Sequence, residues 1–241
     1  MESASVRAHA AVPFMSPMSE TAVDAAIAAL ALPPRARVLE TGCGAAELLL
    51  RVLEAHPGAT GVGVDLDRDV LERARRAAAR RLPGRAPELI AAPAGEAALP
   101  PGGHDLVINV ASSHAHGGWP AALGVLAGLV RPGGLVLLGE GFWAREPSPA
   151  VLDALGGATV GELPAGLPAL VAEAGRAGLT VVATAEAGAA DWAAYEEGLA
   201  AEAARHPDPE AQAYARRIRE RRALPGGTDT MGFALLTLRR G

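Results

Sequence analysis

Short apolar runs alternate with amphipathic stretches along most of the chain. A run that is apolar throughout is typical of a strand covered on both faces, whereas apolar residues spaced three or four apart indicate a helix packed on one side. Strands are predicted at residues 37–42, 60–67, 87–93, 104–111 and 133–143. A helix before Pro33 and further helices between the strands are predicted at residues 16–32, 46–58, 68–82 and 123–130.

The last third of the chain continues the same alternation. A helix and a sixth strand are predicted within residues 167–187, and the last strand at residues 232–240. Strands that alternate with helices form a parallel sheet with helices on both faces. The expected fold class is therefore α/β, with a doubly wound, seven-stranded, mostly parallel sheet whose last strand is antiparallel. Residues 188–231 have a helical pattern and predict a helical cap inserted before the last strand.

No linker or repeat divides the chain, so we expect a single domain over residues 1–241. Its expected parts are an N-terminal flap and helix at 1–32, a core at 33–187, the helical insertion at 188–231 and the last strand at 232–241.

The amino-acid composition argues against several classes of binding partner. The net charge of −5 and the isoelectric point near 5.7 give no broad attraction to nucleic acid or to an anionic membrane, so we expect neither partner. The N-terminus lacks a secretory signal and no apolar stretch is long enough to span a bilayer, so a cytoplasmic protein is expected. One cysteine, Cys43, excludes an internal disulfide, and no ligand spacing points to a metal.

The stretch between the first predicted strand and its helix, "VLETGCGAAELLL", has the residues of a ligand-binding turn. Glycines let backbone N–H groups approach a ligand closely at the N-terminus of a helix. Dinucleotide sites need a third glycine, and Glu47 stands there instead, where its carboxylate would oppose a pyrophosphate. Glu40 at the strand end suits a cationic amino group. Asp65 ends the next strand at the spacing of an acid that binds ribose hydroxyls, although either acid could instead cap a helix.

These motifs resemble those of a known family. "VLETGCGAAE", "GVGVDLD", "HDLVINV" and "LVRPGGLVLLGE" follow in the order found in class I S-adenosylmethionine-dependent methyltransferases, across about residues 16–143. The later segments "SHAHGG", "GEGFW" and "DWAAYE" resemble a bacterial small-molecule subgroup. The resemblance implies a Rossmann-like methyltransferase fold and S-adenosyl-L-methionine as cofactor.

The resemblance also implies a set of cofactor-binding residues. The acid and glycines of the first motif would bind the aminoacyl end, and the acid of the second would bind the ribose. The candidates are Glu40, Gly42, Cys43, Gly44, Asp65, Leu66, Gly95, Glu96 and Asn109. The sequence departs from the family motifs at two positions. Ala46 stands where the family often has a glycine, and Gly95 stands where it often has an acid near the adenine, with Glu96 next to it.

Residues for the second substrate are expected after the strands. His114 is the leading candidate for a catalytic base, because an imidazole titrates near working pH, and Glu140 is the second. The expected substrate-binding residues are His116, Trp143, Trp192 and Tyr195. The aromatic residues could instead anchor the helical insertion, and the histidines could bond only to backbone. Phe14, Met15 and Met18 are candidates for a flap over the cofactor.

The expected function is methyl transfer to a small organic acceptor, at oxygen or nitrogen. The alternatives are a cofactor-binding protein on the same scaffold that does not methylate, such as a cyclase or regulator, and a nicotinamide dehydrogenase, which Glu47 disfavours. A small molecule is the expected partner, and the sequence leaves the oligomeric state open.

Overall fold

A computed structural model describes residues 8–241, so residues 1–7 of the predicted N-terminal flap lie outside the described residues. The described chain divides into two compact units. The first unit contains the described residues up to Glu20, together with Gly141–Leu170 and Glu186–Ala234. The second contains Thr21–Glu140, Val171–Ala185 and Leu235–Gly241. The single domain inferred from the sequence stays a prediction.

Seven strands form one sheet, in the order β3-β2-β1-β4-β5-β7-β6. Their bounds are β1 Arg37–Thr41, β2 Thr60–Asp65, β3 Glu88–Ala91, β4 His104–Val110, β5 Val130–Trp143, β6 Leu179–Glu186 and β7 Met231–Arg240. The pairs β1–β2, β1–β4, β2–β3 and β4–β5 are parallel. The mixed, mostly parallel sheet with helices on both sides confirms the expected fold class.

The helices lie between the strands as the alternation predicts. Their bounds are α1 Glu20–Ala28, α2 Glu47–Ala55, α3 Arg68–Arg81, α4 Trp119–Leu129, α5 Pro149–Ala154, α6 Leu167–Arg176, α7 Ala189–Arg205 and α8 Pro209–Ala223. Short 3₁₀ turns occur at His9–Ala11, Ser113–His116 and Val160–Glu162. The sequence did not predict α5, which begins where Ser148 accepts a hydrogen bond from the Val151 N–H and Pro149 occupies the first turn.

The core of the second unit is aliphatic. The central strands bury Leu39, Val107 and Leu137 completely, and α2 covers the sheet with Leu49 and Val52. Strands that are covered on both faces of the sheet need apolar residues at most positions. This is why the sequence pattern predicted them. Because β1 lies between β2 and β4, its C-terminal end meets the turns that follow both neighbours.

The first unit has a smaller core of its own. Helices α7 and α8 pack together through Leu199, Ala203 and Ala215, and the N-terminal residue Ala8 joins the same cluster. Inside this cluster Glu196 forms a buried ion pair with Arg221, which also donates to the Gly227 carbonyl. Two helices thus precede β7, where the sequence predicts a helical insertion. Within the described part of the chain, no helix has the length and apolar character needed to cross a bilayer.

Arg81 joins α2 to α3 by ion pairs with Glu47 and Glu54. Replacing it by methionine, Arg81→Met, is expected to lower the free energy of unfolding by about 1 kcal/mol, because two partly exposed carboxylates each lose an ion pair, although Glu47 keeps its pair with Arg51. Urea unfolding checks this. The control Arg80→Met changes an exposed neighbour without a recorded ion pair and is expected to stay within about 0.5 kcal/mol of the parent chain. Equal losses in the two variants would contradict the role of the ion pairs.

Candidate active site

The turn between β1 and α2 is built from left-handed backbone. Gly42, Gly44 and Ala46 all have positive φ angles, of 65°, 51° and 59°. The turn is closed by hydrogen bonds from the Cys43 N–H to the Val64 carbonyl and from the Ala46 N–H to the Cys43 carbonyl, at 3.0 and 2.7 Å. The turn therefore forms although alanine replaces the third common glycine, and Ala46 carries the strain of a left-handed non-glycine residue.

Gly42 cannot carry a side chain in this turn. A Cβ atom there would lie 2.4 Å from the Cβ atom of Ser112, the residue that follows the end of β4 by two positions. The Ser112 hydroxyl lies 3.2 Å from the Gly42 carbonyl and 3.1 Å from the Val110 carbonyl. The first glycine is thus required both by its φ angle and by the close approach of the loop after β4.

Asp65 ties the end of β2 to the glycine turn. One carboxylate oxygen, Oδ2, accepts a hydrogen bond from the Gly44 N–H at 2.7 Å, and the other, Oδ1, accepts one from the Asp67 N–H at 2.9 Å. Asp67, not Asp65, caps α3, since its side chain accepts from the Asp69 and Val70 N–H groups. Each oxygen of Asp65 keeps a lone pair for a further donor.

Glu40 lies at the end of β1 with only 3% of its surface exposed. Its Oε2 atom accepts a hydrogen bond from the Leu49 N–H in the first turn of α2, at 3.1 Å. Burial raises the pKa of Glu40 to about 8, against the effect of that hydrogen bond, and the charges of Asp65 and Glu47 add to the rise. The site therefore holds a carboxyl group that a nearby cation would help to ionise.

Cys43 lies inside the turn, buried, with its thiol 3.8 Å from the Gly44 carbonyl. Burial raises the pKa of the Cys43 thiol far above its ordinary value, so the thiol is neutral. Its sulfur faces Gly63 on β2, where an added Cβ would lie only 2.9 Å away. The cysteine fills space between the turn and β2.

The next three candidates lie at the ends of β2 and β3. Leu66 directly follows Asp65, and 71% of its surface is exposed, the largest exposed fraction among the large apolar residues described. Gly95 and Glu96 lie in the exposed turn after β3, where the Glu96 N–H donates to the Pro93 carbonyl. In the described part of the chain, the structure brings no side chain into hydrogen-bonding contact with the carboxylate of Glu96.

Asn109 and His116 meet at Thr41, a residue that the sequence analysis did not select. The Asn109 side-chain amide donates to the Thr41 carbonyl at 3.2 Å and to its hydroxyl at 3.0 Å. His116 Nε2 lies 3.1 Å from the same hydroxyl. Thr41 and Asn109 are completely buried, so this is an interior polar chain with the imidazole at its outer end. The only sequence signal was a threonine at the end of this strand, between Glu40 and Gly42.

The two candidates for a base differ in their surroundings. His114 is exposed on the 3₁₀ turn Ser113–His116, two residues before His116. Glu140 is buried on β5, with 5% of its surface exposed. Both residues lie in the second unit. Among the described residues, no group of three or more histidine, cysteine or acidic side chains could hold a metal ion.

The aromatic candidates belong to the first unit. Trp143 is buried, and its indole N–H donates to the Val160 carbonyl at 2.8 Å. The Tyr195 hydroxyl lies 2.7 Å from His9 Nε2, and its ring packs edge-on against Trp192 with 6.2 Å between centroids. The contact between Trp192 and Tyr195 lies within the helical insertion, as in the alternative in which the rings anchor it, whereas Trp143 contacts a segment outside the insertion. Phe14 and Met18 are buried in the same unit, whereas Met15 is exposed.

Glu47, whose carboxylate disfavoured a dinucleotide, is paired. Arg51 contacts it at 2.7 Å, and Arg81 approaches its other oxygen. These two arginines offset the charge that was expected to repel a pyrophosphate. The electrostatic objection to a dinucleotide at this turn is therefore weaker than the sequence suggested, and other observations must separate the two cofactor classes.

Comparison with known families distinguishes the two cofactor classes, dinucleotides and S-adenosylmethionine. Residues 39–136, which include the glycine turn, Asp65 and Asn109, match a family model described as a methyltransferase domain. No curated protein matches the chain.

Solved structures share the fold over nearly the whole chain. YjhP from E. coli aligns at 23% identity with a TM-score of 0.86, over 99% of both chains. A SAM-dependent methyltransferase from Geobacter sulfurreducens, in complex with S-adenosyl-L-homocysteine, aligns at 23% identity with a TM-score of 0.84. The alignment covers 99% of this chain and 98% of that protein. A SAM-dependent methyltransferase from Thiobacillus denitrificans, in complex with the same nucleoside, aligns at 26% identity with a TM-score of 0.80. The alignment covers 97% of this chain and 96% of that protein. The [4+2]-cyclase SpnF shares the fold at 19% identity with a TM-score of 0.72. The alignment covers 92% of this chain and 82% of SpnF.

The substitution Gly42→Ala tests the packing of the turn. It is expected to lower the free energy of unfolding by about 3 kcal/mol or more, since it adds a clash with Ser112 to the cost of a left-handed alanine. The control Gly84→Ala has the same backbone problem, with φ of 75°, but no atom within 4 Å of the added Cβ. It is expected to lose only about 1–2 kcal/mol in the same denaturant titration. If Gly84→Ala costs as much as Gly42→Ala, the close approach of Ser112 is not what requires the glycine.

Proposed function

We propose that this chain, a class I S-adenosylmethionine-dependent methyltransferase, transfers the methyl group to an oxygen or nitrogen atom of a small organic acceptor. The observation that carries the proposal is the acidic end of β1 and β2, where the buried Glu40 and the turn-bracing Asp65 lie within the matched domain. The acceptor half of the proposal is supported by the imidazoles on the turn after β4.

Glu40 fits the cationic end of the cofactor. A buried carboxyl group that is kept protonated by desolvation, beside two further acids, is stabilised in its ionised form when a positive group enters the site. An aminoacyl ammonium group supplies that charge, and a phosphate does not. We therefore assign Glu40 and the backbone of Gly42, Cys43 and Gly44 to the aminoacyl end.

Asp65 and Leu66 fit the nucleoside end. The free lone pairs of the Asp65 carboxylate can accept hydrogen bonds from two ribose hydroxyls while the bonds to Gly44 and Asp67 remain. Leu66 offers an exposed apolar surface next to this acid, which suits one face of an adenine ring. Gly95 and Glu96, in the turn after β3, are proposed for the adenine edge, and Asn109 for support of the turn through Thr41.

S-adenosylmethionine supplies a methyl group on a positively charged sulfur, so the protein chiefly has to align the acceptor and exclude water. An acceptor hydroxyl or protonated amine must also lose a proton. His114 is exposed and free to take that proton at its ring nitrogen, and Glu140 is the second candidate. Trp143, Trp192 and Tyr195 stay predicted acceptor-binding residues, although the recorded contacts of Trp143 and Tyr195 are structural.

A fold shared with a cyclase does not by itself fix the reaction. Calorimetry with S-adenosylhomocysteine, combined with a methyl-transfer screen over phenols, amines and carboxylates, distinguishes the cases. Binding with turnover supports the proposal, whereas binding without turnover on any acceptor favours the non-methylating alternative. Asp65→Asn is expected to weaken S-adenosylhomocysteine about 10- to 100-fold, since hydrogen bonds to a charged acceptor are lost. The control Asp69→Asn, exposed on α3, is expected to bind normally.

The raised pKa of Glu40 predicts pH-dependent cofactor binding. In the free protein Glu40 is protonated below about pH 8, and the bound ammonium group favours the carboxylate, so that binding releases a proton. Affinity for S-adenosylhomocysteine is therefore expected to rise as pH increases from 6.5 towards 8, by at most about tenfold per unit, and then to level off. Calorimetry across this range checks it.

The control for this pH series is Glu40→Gln, which cannot ionise. The amino group of the nucleoside titrates equally against both proteins, so the difference between the two pH curves isolates Glu40. A parent chain whose pH curve runs parallel to that of Glu40→Gln would contradict the assignment of Glu40 to the aminoacyl end.

A further inference from the structure

One arrangement of hydrogen atoms fits all three contacts of the interior polar chain Asn109–Thr41–His116, and among the described residues it leaves only Asn109 Oδ1 of this chain without a buried partner. The Thr41 carbonyl can only accept a hydrogen bond, so the Asn109 group that faces it must be the amide nitrogen, which also donates to the Thr41 hydroxyl. The reversed amide would place two oxygen atoms 3.2 Å apart. The Thr41 hydroxyl oxygen therefore already accepts one hydrogen bond.

The hydrogen atom of the Thr41 hydroxyl then needs an acceptor, because the residue is completely buried. Asn109 Nδ2 is a donor only. Within the part of the chain that the structure describes, His116 Nε2 is the one remaining partner of this hydroxyl, at 3.1 Å. A proton on His116 Nε2 would leave the hydroxyl hydrogen without an acceptor inside the protein.

The surroundings of the imidazole also keep it neutral. Burial, and then the charge of the neighbouring His114, lower the pKa of His116 below its ordinary value. A neutral ring that accepts at Nε2 carries its hydrogen on Nδ1. In the described chain Nδ1 makes no recorded hydrogen bond, and His116 itself is only half-buried.

We propose that Thr41 is a positioning residue that fixes His116 in the Nδ1–H tautomer, so that His116 presents a hydrogen-bond donor to an oxygen or nitrogen lone pair of the methyl acceptor. The second half of this statement rests on the proposed function, and the first half does not. His116 cannot take the acceptor's proton in this form, because its only basic nitrogen is occupied by Thr41. The base is then His114 or Glu140, and the acceptor molecule carries a lone pair that faces His116.

The tautomer can be measured without cofactor or acceptor. Long-range ¹H–¹⁵N correlation spectra of the ¹⁵N-histidine-labelled full chain at pH 8, with His116 assigned by comparison with His116→Gln, distinguish the two ring nitrogens. We expect Nδ1 to carry the hydrogen and Nε2 to show the shift of a hydrogen-bonded acceptor. An Nε2–H ring or a charged ring in the parent chain would overturn the proposal, and this observation needs no variant that could fail to fold.

Two matched variants test the role of the hydroxyl. Thr41→Val keeps the shape of the side chain but removes the hydroxyl, and is expected to shift His116 at least fivefold towards the Nε2–H form. Thr41→Ser retains the hydroxyl and is expected to keep the Nδ1–H form. If Thr41→Val leaves the tautomer as in the parent chain, Thr41 does not fix it.

Kinetics test the donor role, with the acceptor that gives turnover in the methyl-transfer screen. Thr41→Val is expected to raise KM for that acceptor about tenfold and to change kcat less than threefold. Because Asn109 keeps its bond to the backbone carbonyl of residue 41, the Kd of S-adenosylhomocysteine is expected to change less than this KM. An unchanged KM would overturn the donor role. If the screen finds no acceptor, the proposed function fails, whereas the tautomer is still decided by the spectra.

Discussion

The hydrogen bond from the Gly44 N–H to the Asp65 carboxylate joins the C-terminal ends of the neighbouring strands β1 and β2, and the rest of the site depends on it. It holds a turn in which three residues have left-handed backbone, including the strained Ala46. A second connection comes from the other side, where Ser112 packs against Gly42. With the Gly44–Asp65 hydrogen bond and the Ser112–Gly42 packing in place, the first turn of α2 is close enough for the Leu49 N–H to donate to Glu40.

That geometry has an electrostatic consequence. Burial, to which the charges of Asp65 and Glu47 add, raises the pKa of Glu40 to about 8, so the free protein keeps Glu40 protonated up to about that pH. Arg51 and Arg81 offset the charge of Glu47 on the helix side. In the proposed assignment, this buried acid favours a nucleoside with a cationic amino acid tail over a phosphorylated one.

The fold was predictable from the sequence because its buried strands are largely apolar and its helices bury one face, as in α3, where Val70, Leu71, Ala74 and Ala78 are buried. The glycine turn and the two acids were also readable, because their spacing repeats a family pattern. The short helix α5 was missed because six residues are too few to show a period. Thr41 and Ser112 were missed because their importance comes from contacts across the sheet, between residues far apart in the chain.

Tertiary contacts also changed how other residues are interpreted. Glu47 appeared unpaired in the sequence, but arginines from its own helix and from α3 reach it. Trp143 has its indole N–H already bonded to Val160, and Tyr195 is bonded to His9, which the sequence gives no reason to expect. Such pairings depend on where helices end and which faces meet, and a single sequence does not specify either.

A crystal structure of the chain grown with S-adenosylhomocysteine at pH 8 tests the central assignment most directly. The account predicts ribose hydroxyls within hydrogen-bonding distance of the Asp65 carboxylate and the amino group on the side of Glu40, with the turn at residues 42–46 unchanged. A nucleoside bound elsewhere, or bound here with its amino acid tail directed away from Glu40, would contradict it.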